Sequence, residues 1–330
     1  MERSLKGLPK IDLHCHLDGS MRPELVQKLL AERGQVLEFP ELLEQIQAPP
    51  DCPSLAEYLG CFRLLIECLQ TKEGLEQAAE LLANDAALEN VKYLEVRLAP
   101  SFSTMEGLKV RDVLESVQKG LLRAEERFDI RTGIIVCAMR HMPEETNIEM
   151  LREAAEFLGS GVVACDLAGD EQAYPNAEFA ELFRQAARLG LPYTIHSGEC
   201  GSTENIRTAV ELGAGRIGHG IAMWNDRELI RICAEKRIGV ELCPTSNFQT
   251  KAVRSWDEYP LRTFMREGLP VSVNTDNRTV SDTSSTAELE KVTDHYALSE
   301  EEQKQIYLWS VEMAFTDDDC KNQLVRKWSI

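Results

Sequence analysis

Short runs rich in β-branched residues alternate along this chain with longer stretches of helical period, and in its second half a new run begins roughly every 25 residues. Crossover helices impose that rhythm on a parallel sheet, because parallel neighbours cannot be joined by a tight hairpin. Eight runs qualify as strands: Lys10 to His14, Val91 to Leu98, Gly133 to Ala138, Gly161 to Leu167, Pro192 to His196, Arg216 to Gly220, Gly239 to Cys243 and Pro270 to Asn274. Helices are expected over Asn176 to Leu189, Glu204 to Leu212, Asp226 to Lys236 and Leu261 to Glu267, each followed closely by a glycine that can end a helix at positive φ. The expected fold is α/β, a (β/α)8 TIM barrel. No linker, low-complexity tract or internal repeat divides residues 1–330, so one domain is expected.

Residues 22–90 are too long for one crossover. They read as extra helices after the first strand: Pro23 to Arg33, Pro40 to Ile46, and an amphipathic run from Leu55 to Leu69. Tyr58, Phe62 and Leu65 on that run can pack against the body or cover a pocket as an apolar lid over the C-terminal face of the barrel, and both uses are open to different faces. Residues 299–330 read as closing helices, the first opened by a capping box of Ser299 and Glu302.

Charge narrows the partners. Lys plus Arg number 36 against 55 Asp plus Glu, a formal net charge of −19, and no stretch concentrates basic residues. Neither nucleic acid nor an anionic membrane surface is an expected partner. No window approaches about 18 consecutive apolar residues, and no signal peptide is visible. The ten cysteines are scattered without a Cys-x-x-Cys pair, several inside apolar runs, as in a reduced cytoplasmic protein that uses thiols as small core residues.

Ionisable residues gather where the strands end, the face of a parallel barrel at which ligands meet the loops. Four of the six histidines stand there: His14 and His16 on strand one, His196 on strand five and His219 on strand six. Alternate residues of a strand share a face, so His14 and His16 can offer two imidazoles to one metal. His196, and Asp276 beyond strand eight, complete a candidate ligand set of nitrogen and oxygen. Zinc suits it, with nickel, iron and manganese left open by ligand type. Glu199, three residues past His196, is a candidate proton donor in a partly dry site. His219, between Gly218 and Gly220, is a candidate catalytic imidazole.

These residues belong to longer motifs: Ile11-Asp-Leu-His-Cys-His-Leu-Asp-Gly19, Tyr93-Leu-Glu-Val-Arg-Leu-Ala-Pro100, Asp166-Leu-Ala-Gly-Asp-Glu171, His196-Ser-Gly-Glu199, Arg216-Ile-Gly-His-Gly220, Cys243-Pro-Thr-Ser-Asn247 and Asn274-Thr-Asp276. In this order, and over essentially the whole chain, they resemble the adenosine deaminase family. The resemblance implies one Zn2+ per chain on His14, His16, His196 and Asp276, and hydrolysis of adenosine, with 2′-deoxyadenosine as a second substrate, to inosine and ammonia. Glu199 would protonate purine N1, while His219 and Asp276 would hold and deprotonate the attacking water. Gly169 would offer its N–H to purine N3, Asp18 would accept from the ribose 5′-hydroxyl, and His16 and Phe62 would border the substrate. A small purine nucleoside is then the partner, with no nucleotide cofactor and no obligate protein partner.

Asn277 stands where the family commonly has a second aspartate facing purine N7, and Arg278 replaces a common proline. An amide donates to that acceptor without taking up a proton, so Asn277 is expected to keep the contact. The alternatives are deamination of adenine or of a modified adenosine on the same barrel, another amidohydrolase reaction, and a non-catalytic binding protein. Asp18 favours a nucleoside, the lysine-free fourth strand disfavours a two-metal site bridged by modified lysine, and the complete ligand set disfavours loss of catalysis.

Overall fold

The computed structural model describes residues 4–328. Its strands are β1 (Lys10–His16), β2 (Val91–Leu98), β3 (Arg131–Met139), β4 (Val162–Ala168), β5 (Thr194–Ser197), β6 (Arg216–His219), β7 (Gly239–Leu242) and β8 (Val271–Val273). They pair in parallel in two runs, β1-β2-β3-β4 and β5-β6-β7-β8. Both seams are bridged. Cys165 pairs with Tyr193, and its N–H donates to Pro192 O at 2.9 Å. At the other seam Cys15 pairs with Asp276, and two 2.7 Å bonds run from His16 N to Asp276 O and from Asp276 N to His14 O. Three of the expected metal ligands therefore lie on the bonds that close the barrel.

Helices cover the outside. Lys72–Leu88 packs along Val110–Arg127, and their contact is close enough that a Cβ on Gly120 would lie 2.2 Å from Glu76 O. Three glycines expected to end helices do so, Gly190 at φ 75°, Gly213 at φ 90° and Gly268 at φ 70°. After the helix Arg227–Glu235, however, Arg237 takes the left-handed turn at φ 57°. Gly239 serves packing instead: a Cβ there would lie 2.5 Å from the Met313 side chain.

The amphipathic run from Leu55 to Leu69 is two helices, Leu55–Gly60 and Phe62–Cys68. At the break Cys61 N reaches back three residues to Tyr58 O at 3.2 Å, a tightened turn, beside a Gly60 that has nothing to pack. The bend sends different faces to different places. Leu65 is fully buried in the main core, Tyr58 is buried with its hydroxyl in a polar contact, and Phe62 is half-buried. The capping box forms as expected, Glu302 N donating to Ser299 Oγ at 3.3 Å and Ser299 N to Glu302 Oε2 at 2.9 Å. All ten cysteines are unpaired, eight of them buried, and among the described residues no helix is long and apolar enough to cross a membrane.

The Gly120 contact yields a stability prediction. In a helix interior Gly→Ala ordinarily stabilises by about 0.5–1 kcal/mol, but overpacking a tight interface costs about 1–3 kcal/mol. The closeness to Glu76 O makes the second effect larger, so Gly120→Ala should lower the thermal midpoint by about 2–6 °C. A raised midpoint would contradict the packing.

Candidate active site

The inside of the barrel is charged. Lumen-facing positions of β2, β4, β6 and β7 supply Glu95, Arg97, Asp166, Arg216 and Glu241, all buried. Arg216 bonds Glu95 Oε2 at 2.5 Å and Glu241 Oε1 at 2.6 Å. Arg97 bonds Glu241 Oε2 at 2.9 Å and Asp166 Oδ2 at 2.8 Å. The chain of charges ends on two imidazoles: His14 Nδ1 lies 2.8 Å from Glu241 Oε2, and His196 Nδ1 lies 2.8 Å from Asp166 Oδ2. Burial alone would raise the Glu241 carboxyl, but Arg97 and Arg216 outweigh it and hold it well below the usual range. The same balance, with His196 and Arg97 prevailing, lowers Asp166. Glu241 therefore accepts from His14 Nδ1–H, and that imidazole turns an unprotonated Nε2 toward the mouth, while Asp166 lies against His196 Nδ1 without a formed hydrogen bond.

There the nitrogens converge. His14 Nε2 and His16 Nε2 are each 3.4 Å from Asp276 Oδ1, and His16 Nε2 is 3.4 Å from His196 Nε2. His14 Nε2 is buried with no hydrogen-bond partner, a costly arrangement for a ring nitrogen unless a cation occupies the space. Gaps of 3.4 Å between such atoms let one ion lie about 2.0–2.2 Å from both, the length of a zinc–nitrogen bond. Burial lowers His16 well below its ordinary value, against the pull of Asp276, which keeps the ring neutral. The residues fit a divalent metal. His219 and Cys243 also lie close enough to join groupings of this kind.

His219 and Asp276 both hold left-handed backbone, φ 61° and 58°, which costs a non-glycine residue about 1–2 kcal/mol. The paired bonds to His14 and His16 fix Asp276 in that state. The His219 ring is oriented by Asn247, whose Nδ2 donates to His219 Nδ1 at 2.9 Å while its Oδ1 accepts from Cys243 N at 3.3 Å and Tyr259 OH at 3.4 Å. Neutral His219 thus carries its proton on Nε2, which faces Glu199 Oε2 at 3.7 Å. Gly218 leaves room for the rings, since a Cβ there would sit 3.3 Å from His14 Cε1. The turn bearing Glu199 is bracketed by buried Glu171, which accepts from Gly198 N at 2.8 Å and Cys200 N at 2.5 Å.

A cavity of about 300 Å³ opens over these groups, within the range of small-molecule sites. It brings together His16, Asp18, Phe62, Gly169, His196, Glu199, His219, Asp276 and Asn277, while His14 lies beneath it. Burial pushes the Asp18 carboxyl up to about 6, opposed by the Gly19 N–H. Gly169 lines the wall at φ 104°. Leu55, Leu59, Ile66, Phe102 and Met139 make the rest largely apolar. Sequence reasoning missed the charges beneath the ligands, Glu171, Asn247, and His141 at the rim, stacked on Phe102 at 5.9 Å. A signal for the first existed: Glu95 and Arg97 alternate with apolar Leu94, Val96 and Leu98 in one strand, as lumen-facing residues must.

Known proteins resemble this chain along nearly its whole length. The family model described as adenosine deaminase matches residues 9–328. An adenosine deaminase of Enterococcus faecalis strain V583 is 42% identical over 328 residues, covering 99% of this chain and 97% of the relative. Among solved structures, an adenine deaminase from Arthrobacter aurescens superposes with a TM-score of 0.90 at 25% identity, covering 98% of each chain. An amidohydrolase from Burkholderia ambifaria with bound zinc has a TM-score of 0.89 at 24% identity, covering 98% of this chain and 90% of that one, a likeness of fold.

Neutralising Glu241 tests the support beneath the ligands. Glu241→Gln removes the carboxylate that fixes His14 and should weaken metal binding about 10- to 100-fold, read as metal retained by the folded protein in competition with a chelator. Unchanged retention would show that His14 is oriented by other means.

Proposed function

The chain belongs to the adenosine deaminase family, and from that premise we propose how its barrel-mouth residues carry out the family reaction. The protein is a hydrolase that deaminates adenosine. The observation that carries the residue assignment is the convergence of three imidazole nitrogens and the Asp276 carboxylate beneath a cavity that also holds Glu199 and His219.

His14, His16, His196 and Asp276 would hold one zinc ion, which when bound supplies the Lewis acidity that makes water a nucleophile near neutral pH. Asp276, held as a carboxylate by His14, His219 and His16 although burial opposes it, accepts the proton of the attacking water. His219 presents Nε2–H to that water's oxygen and orients it toward C6. Glu199 donates a proton to purine N1, so that electrons from the C6–N1 bond have a place to go as oxygen adds. The proton taken by Asp276 then leaves with ammonia as the C6–amino bond breaks, and the proton of the new C6 hydroxyl returns to Glu199 as the C6 carbonyl of inosine forms. Gly169 N–H and Asn277 fix the ring, and Asp18 accepts from the 5′-hydroxyl. Phe62 and its apolar neighbours form a lid that excludes bulk water, which strengthens each polar contact beneath it.

Asp18 at the cavity wall supports a nucleoside over a free base. Among the described residues no lysine or arginine lines the cavity, so none of them compensates a 5′-phosphate. Ammonia release from adenosine, 2′-deoxyadenosine, adenine and AMP tests this directly. The two nucleosides should be turned over, with adenine and AMP far behind, and preferential turnover of adenine or AMP would overturn the assignment. Glu199→Gln should reduce kcat about 10²- to 10⁴-fold with metal content and thermal midpoint retained. A variant within a few-fold of the parent enzyme would remove Glu199 from its role.

A further inference from the structure

Asn277 departs from its family's usual residue, and what surrounds its side chain is unlike a loop cap. Its Nδ2 donates to Tyr58 OH at 3.0 Å, and Tyr58 OH lies 2.7 Å from Ser281 Oγ. Tyr58 comes from the helix Leu55–Gly60, more than 200 residues away in sequence, and both side chains line the cavity. Asn277 is 3% exposed, and its Oδ1 is buried without a partner. That oxygen rests against Gly19, where a Cβ would come within 1.9 Å of it, so the carboxamide fills the space an unsubstituted residue 19 leaves open.

Nδ2 is the end of the amide that meets the hydroxyl, with Oδ1 turned to Gly19. Tyr58 has one proton and is kept neutral by burial. While that proton points to Ser281, the phenol oxygen accepts from Asn277 Nδ2 and repels Oδ1. One N–H of the amide is then used, and the second has no acceptor among the described residues. An aspartate at 277 would have to take up a proton to donate at all, whereas this amide needs only to be turned the right way.

We propose that Tyr58 is a positioning residue that orients the Asn277 carboxamide so that its free N–H meets the five-membered-ring nitrogen of the bound purine, making recognition of that nitrogen depend on the seated Leu55–Gly60 helix. The inference rests on the reading of the cavity as the purine site. It differs from that reading by assigning a role in substrate recognition to the insertion helix through one hydroxyl.

Two unreactive ligands isolate the contact. 1-Deazaadenosine lacks the nitrogen that Glu199 protonates but keeps the five-membered-ring acceptor, and 1,7-dideazaadenosine lacks both. Their dissociation constants for the zinc-loaded protein are measured by calorimetry in the parent, Tyr58→Phe, Asn277→Ala and the double variant. Tyr58→Phe keeps the ring and removes only the hydroxyl. It should weaken 1-deazaadenosine about three- to tenfold, the size of one neutral hydrogen bond, and leave 1,7-dideazaadenosine unchanged. Asn277→Ala should do the same, and the double variant should lose no more than Asn277→Ala alone. If Tyr58→Phe weakens both ligands equally or neither, or if the two losses add, Tyr58 does not act through Asn277 and the inference fails. If Asn277→Ala fails to distinguish the ligands, the contact between Asn277 and the purine is itself wrong. If adenosine releases no ammonia, the purine-site reading has failed independently.

Discussion

A line of buried charge runs up the inside of the barrel, from Glu95 through Arg216, Glu241 and Arg97 to Asp166, and the imidazoles of His14 and His196 sit on its upper end. All five side chains are buried from solvent, so every partner is needed by its neighbours. Removing one member of a buried pair costs about 3–5 kcal/mol, comparable with the whole stability of a small domain at about 5–15 kcal/mol. Apolar side chains of similar volume would fill the space at no greater cost. They could not, however, hold His14 with Nδ1 protonated and Nε2 bare, or set a carboxylate against His196. The network is therefore best understood as orientation, and the strain at His219 and Asp276 is tolerated because that scaffold and the seam bonds leave no alternative.

The seam makes fold and chemistry inseparable. Asp276 closes the barrel with its backbone, through His14 O and His16 N, and reaches the His14 and His16 imidazoles with its side chain. A change that frees the loop after β8 would open the barrel and scatter the ligands together. Arg278 secures the same loop in another way: its N–H donates to Ser20 Oγ at 3.0 Å, a bond proline could not make, and its guanidinium pairs with Glu89. The two unusual residues thus divide the work, Arg278 tying the loop to the body and Asn277 facing the cavity.

Much of this was legible in the sequence because it obeys short-range rules. Strand period located all eight strands, and the strand ends located His14, His16, His196, His219 and Asp276. The Ser299–Glu302 capping box was equally local. What escaped depends on contacts between residues far apart in the chain. Glu241 gains its meaning only when β7 lies beside β6 and faces His14 across the lumen, and Tyr58 only when its helix is folded over Asn277. The bend at Cys61 escaped because apolar period continues through it, while the requirement to send Tyr58 and Leu65 to different sites is tertiary. The charge of −19, useful at first for excluding polyanions, is compatible with a neutral substrate but does not select it.

The central claim is that this scaffold aims three imidazoles and one carboxylate at a single point. Anomalous diffraction at the zinc absorption edge, from crystals of the protein loaded with zinc, tests it most directly. One peak is predicted, about 2.0–2.2 Å from Nε2 of His14, His16 and His196 and from a carboxylate oxygen of Asp276. A peak elsewhere, or a second metal bridging this site, would contradict it.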